Sequence, residues 1–136
     1  MFYEIEVPGK ITGKARPRVN TCTGVAYTPT KTKDYECLVE QYFWLKYPRS
    51  KPIEGRVKVT IVAHFPLPKQ ASKKDKEQML LGNIAPTKKP DIDNIVKIIL
   101  DALNKIAFAD DNQITKMEVE KVYDEEEKVY VKIEEY

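Results

Sequence analysis

One histidine, His64, and two cysteines, Cys22 and Cys37, are all that a chain of 136 residues offers in imidazole and thiol ligands. Two cysteines make no disulfide scaffold. With a single histidine they make no four-ligand zinc site. No stretch of about 18 apolar residues exists, so nothing in the sequence reads as a membrane span. The start, MFYEIEVPGK, lacks a basic segment followed by an apolar one, so it does not read as a signal peptide. The expectation is a reduced, cytoplasmic protein. Hydrophobic residues make 42% and aromatics 10%, which excludes wholesale disorder. The length fits one domain with one core, residues 1–136.

Charge of one sign is scarce overall, at net +2, but it is unevenly placed. Residues 110–136 hold ten acids and four bases, and residues 1–109 hold eleven acids and nineteen bases. A body at +8 with an end at −6 suits a polyanionic partner. Part of that asymmetry lies in Asp124-Glu-Glu-Glu127, which also reads as a solvated turn.

Alternation predicts strands over Phe2–Val7, Arg56–Phe65, Ile114–Tyr123 and Lys128–Glu134. Residues 8–30 are turn-rich. A helix is expected from Thr32, carrying Tyr35, Leu38, Val39, Tyr42, Phe43 and Leu45 as its apolar stripe, with Pro48 closing it. Residues 66–90 hold six lysines against two acids and read as a mobile basic loop with a short helical piece between Ser72 and Gly82. A second helix is expected from Asp91 to about Ala107. The order predicts an α+β fold, a small mixed β-sheet with packed helices.

The chemistry concentrates in one window. Five of the eight aspartates lie within 91–111, namely Asp91, Asp93, Asp101, Asp110 and Asp111, and none of the thirteen glutamates does. Glutamate is the better helix former, so a helix that needed only solubility would use it. Aspartate holds its carboxylate close to the backbone, which suits a hard cation such as Mg²⁺ or Mn²⁺. Each aspartate also has a plain reading. Asp91 can cap the helix, Asp93 can favour its first turn, and Asp110 and Asp111 can serve a turn. Lys97 lies one turn beyond Asp93 and can meet a scissile phosphate, or simply pair with Asp93. Asp101 is eight residues from Asp93, too far along a helix to share one metal, and is assigned a structural role beside Lys97 or Lys105. His64 is expected to pack in or beside the sheet.

The stretch KKPDIDNIVKIILDALNKIAFADDNQI (88–114) resembles the RusA family of Holliday-junction resolvases, mostly prophage-associated endonucleases. It has the Asp-x-Asp-Asn helix start, a lysine three residues after the Asn, an Asp-Ala-Leu, and an Asp-Asp pair before a strand. The similarity extends to GKITGKARPR (9–18), YTPTKTKDYE (27–36) and EKVY (120–123). The resemblance implies a RusA-like dimer, with catalytic and metal-holding acids at Asp91, Asp93 and Asp111 and a catalytic lysine at Lys97. It implies Mg²⁺-dependent phosphodiester hydrolysis at four-way DNA junctions, in recombination and repair. Mn²⁺ is the alternative metal.

Arg16 and Arg18 read as phosphate contacts, because arginine forks a phosphate bidentately; surface solubility is the competing reading. Lys69, Lys73, Lys74 and Lys76 read the same way. Two other functions fit the composition. A non-catalytic branched-DNA-binding module would bind junctions without cutting them under any divalent ion. A Mg²⁺-dependent nucleotide phosphohydrolase would turn over free nucleotides and ignore long DNA. A distance raises one further expectation. An unbroken helix over 92–107 is about 24 Å long, and four more residues span at most about 14 Å, so Asp111 cannot easily return to Asp91 and Asp93. The helix is also apolar round most of its girth. Both features suggest a homodimer whose active sites are shared between subunits.

Overall fold

The computed structural model describes residues 1–27 and 29–136; of the turn-rich stretch 8–30, position 28 lies outside that description. Four strands form the main sheet: β1 (Phe2–Pro8), β4 (Val57–Pro66), β5 (Ile114–Asp124) and β6 (Lys128–Glu135), in the order β1-β6-β4-β5. Antiparallel pairs are β1 with β6 and β6 with β4, and β4 pairs with β5 in parallel. The fold is α+β with a mixed sheet, as the element pattern predicts.

Period-2 alternation decides which face is covered. Tyr3, Ile5 and Val7 of β1, Val57 to Phe65 at odd positions of β4, and Val129, Val131 and Ile133 of β6 are all buried. Two helices, α1 (Thr30–Lys46) and α3 (Ile92–Leu103), cover that face and pack on each other. The alternate positions form an open, charged face. There Lys58 pairs with Glu118 across β4 and β5 at 3.3 Å. Tyr130 donates to Glu4 at 2.7 Å. Burial first, then that bond and the nearby Glu4, Glu134 and Glu6 carboxylates, hold the Tyr130 phenol proton up to about 12.

β5 and β6 are joined by the acidic turn yet do not pair. β4 lies between them, because its fully apolar inner row belongs at the centre of the sheet. The parallel β4–β5 step needs a crossover, and α3 supplies it. His64 sits on the open face at the end of β4, its Nδ1 3.0 Å from Asp124 Oδ2 but off the line of a good hydrogen bond. Among the described residues, no helix is long and apolar enough to cross a membrane.

Several boundaries move. α1 begins at Thr30, two residues before the expected start, with Pro29 fixing the entry. Its buried stripe is Thr32, Tyr35, Val39 and Phe43, and Leu45 faces solvent at 78% exposed. α3 stops at Leu103 rather than Ala107. Asn104 turns extended and Lys105 takes the left-handed region at φ 67, so the chain folds down to bury Ala107 and Phe108. Within 66–90, helix α2 (Lys73–Leu80) forms as the Ser72 signal suggests, its hydroxyl accepting from Asp75 N at 3.1 Å. This piece is docked along β5 rather than standing free. The turn-rich N-terminal stretch contains an exposed ribbon, β2 (Arg18–Val19) paired with β3 (Ala26–Tyr27).

Candidate active site

Asp91 stands at the N-terminus of α3, φ −66 and ψ 152, and makes no side-chain cap. The capping role that would explain it locally is therefore unfilled. Asp93 lies in the first turn. Asp111 opens a short 3-10 turn (Asp111–Gln113) leading into β5. All three are exposed, and among the described residues none is ion-paired. Asp101 and Asp124 are engaged. Asp101 accepts from Lys14 at 3.2 Å and Lys97 at 3.4 Å, and Asp124 faces His64. The structural role expected for Asp101 is thus present, with Lys14 as its main partner. Lys97 pairs with Asp101 rather than Asp93, and its side chain remains 63% exposed.

The two acidic sites lie at opposite ends of the sheet. Lys88, three residues before Asp91, sits over the Phe65 ring at 5.9 Å, which fixes the start of α3 beside the end of β4. Asp111 precedes Ile114, which pairs with Val57 at the start of β4. Ten strand residues separate those ends, about 30 Å. Among the described residues, no three of His, Cys, Asp or Glu come close enough to hold one metal ion. Chain length is not what separates Asp111 from Asp91 and Asp93. With α3 ending at Leu103, Asp111 lies eight residues past the helix end, enough chain to return. It is the pairing of β5 with β4 that carries Asp111 away. The apolar girth of α3 is also explained inside the chain. The sheet and α1 cover Ile95, Ile98, Ile99, Ala102 and Leu103, leaving only Ile92, 42% exposed, fully open.

The basic N-terminal loop is bound to the start of α3. Lys14 N donates to Asn94 O at 2.9 Å. A Cβ on Gly13 would meet Pro90 Cβ at 2.7 Å and Asn94 Cβ at 3.0 Å, so only glycine allows this approach. Lys14 Nζ then bridges Glu36 of α1 at 2.7 Å and Asp101 of α3. Burial alone would lower its pKa, but the bonds to Glu36 and Asp101 and their charges outweigh that and raise it. Ala15 N donates to the buried Thr32 hydroxyl at 3.3 Å. Arg16 and Arg18 follow, both exposed, leading into the ribbon. Of the lysines in 66–90 read as phosphate contacts, Lys69, Lys73 and Lys74 are exposed and Lys76 is half-buried.

The family profile described as "Endodeoxyribonuclease RusA" matches residues 8–134. The chain belongs to the RusA family. RusA proteins are endodeoxyribonucleases that act at Holliday junctions, and their nucleases are generally divalent-metal dependent. The chain is also similar to "Uncharacterized protein YqaN" of Bacillus subtilis (strain 168). The two are 37% identical over 136 residues, covering 95% of this chain and 93% of that protein. The RusA match disfavours the free-nucleotide phosphohydrolase. Lys14 and the pair Lys88-Lys89 were not singled out as site residues from the sequence. The signal for the pair was their position immediately ahead of Pro90-Asp91.

Proposed function

We propose that this chain is a Mg²⁺-dependent Holliday-junction resolvase working as a homodimer, with Asp91 and Asp93 of one protomer and Asp111 of the other forming each site. The supporting observation is that these three carboxylates, at family-matched positions, are exposed and in no ion pair among the described residues. Carboxylate oxygens suit Mg²⁺, and Mn²⁺ is the alternative the same donors accept. A bound metal of this kind polarises the phosphoryl oxygen and lowers the pKa of an attacking water. The chain's own residues do the rest. Asp91 and Asp93 present oxygens at the positive end of α3, where their charge is stabilised. Lys97, one turn further, offers an ammonium to the non-bridging oxygens of the scissile phosphate. Arg16, Arg18, Lys69, Lys73 and Lys74 hold the DNA backbone, and half-buried Lys76 adds charge behind them.

The test is a synthetic four-way junction and a matched linear duplex, each with and without Mg²⁺. Paired nicks in the junction alone, dependent on the metal, are expected. Asp93→Asn should lower the rate by roughly 100-fold or more while junction binding holds or tightens, because a negative charge beside phosphates is gone. Cleavage by Asp93→Asn at the wild-type rate would show that Asp93 is not part of the site.

A further inference from the structure

A cleft of about 760 Å³ opens beside the start of α3, between the N-terminal loop, α1 and the end of β4. That volume lies in the range of about 300–1,000 Å³ common for small-ligand sites. Its floor is apolar, built from Ile11, Leu38, Phe65 and the ring of Tyr35. Lys10, Lys31, Lys88 and Lys89 surround it, against two acids, Asp34 and Glu127. Glu127 is engaged, accepting from Ile11 N at 3.2 Å. Pro90 also lines the cleft, so its mouth adjoins Asp91.

Tyr35 stands in the cleft wall. The residue is 5% exposed and lines the cleft. Burial, and then the Glu127 carboxylate, push the phenol up, so it stays a neutral donor at neutral pH.

We propose that this cleft receives one nucleotide unstacked from the DNA beside the cut. Its base lies on the apolar floor with its edge on the Tyr35 hydroxyl, and its flanking phosphates meet the lysine rim. The proposal rests on the branched-DNA reading above. Charge complementarity favours a phosphodiester strand over a protein segment, since four lysines face two acids. Unstacking is cheapest where pairing is already interrupted, as at a branch point.

The test uses the full chain with Ca²⁺ in place of Mg²⁺, and four-way junctions that each carry one 2-aminopurine near the branch point. Anisotropy and 2-aminopurine fluorescence are read in the same titration. One position on the cleaved strand should brighten about threefold or more as its base leaves the stack. Leu38→Trp, which fills the cleft, should abolish that brightening while junction affinity stays within about threefold. Tyr35→Phe keeps the ring and its packing. With Mg²⁺ it should collapse an about tenfold spread of cleavage rates among the four bases at that position to about twofold, whereas a folding defect would slow all four alike. Tight junction binding with no brightening position overturns the cleft proposal. So does an unchanged response in Leu38→Trp, or a change of oligomeric state in that variant, which would mark the cleft as covered by a second copy. Failure of the wild-type chain to bind junctions at all would overturn the branched-DNA reading itself.

Discussion

Lys14 shows how one side chain ties a basic loop to an acidic site. Its ammonium joins α1 to α3 through Glu36 and Asp101, while its backbone N–H holds Asn94 just past the candidate metal acids. Lys14→Met should destabilise the fold by about 1–2 kcal/mol, because two carboxylates lose a partly buried partner. The pH dependence follows from the direction of the shift. Its folded pKa is raised above the usual 10.5, so the folded state holds that proton more tightly than the unfolded state. The stabilisation is complete below 10.5 and is lost as pH rises through the folded value. Thermal melts of wild type and Lys14→Met should therefore differ by a constant margin from pH 7 to 10 and converge at higher pH. A margin that stays constant into strong alkali would show that the ammonium is not what stabilises the loop. The sequence marks Lys14 as basic but says nothing of its partners, since Glu36 and Asp101 are brought to it only by helix packing.

At the scale of elements, apolar periodicity made the strands and helices legible to within a few residues. It succeeded for β4 and β6 because strict alternation has one solution when a sheet is covered on one side. It failed at the end of α3, where the stop is a lysine in the left-handed region, a conformation the sequence advertises only when glycine or asparagine occupies it. It was silent on the insertion of β4 between β5 and β6, because strand order depends on long-range pairing. Of the candidate site, the helix-start acids were legible from residue type and spacing. The Lys10, Lys31, Lys88 and Lys89 rim was not, because it gathers three separate stretches of chain. The exposed β2–β3 ribbon gives Arg16 and Arg18 a functional test. Both precede or begin a two-stranded element that carries Val19, Val25 and Tyr27 to solvent. If both arginines contact phosphates, neutralising them together should reduce the slope of log affinity against log salt by about 1.8, at 0.9 per contact. An unchanged slope would remove the pair from the interface.

For the whole molecule, the decisive fact is that the parallel pairing of β4 and β5 sends Asp111 to one end of the sheet while α3 starts at the other. Three carboxylates so arranged cannot hold one metal within a chain, and a two-fold partner running α3 the other way would bring the missing one. Two equivalent sites related by that axis also match the symmetry of a four-way junction, whose opposing strands need paired cuts. α3 itself offers little free apolar surface for the partner, so the acids alone point to the shared arrangement. It is tested by mixing chains. A heterodimer of Asp93→Asn with Asp111→Asn places both lesions in one site if sites are shared, and the second site is then intact. Such a heterodimer should nick one strand of a junction at about half the wild-type rate, while each homodimer is inactive. If each site lies within a single chain, both sites of the heterodimer carry one lesion and no nicking returns. Heterodimers verified by mass, bound to junction DNA and yet unable to nick it would sink the shared-site arrangement while leaving the metal assignment of Asp91 and Asp93 standing.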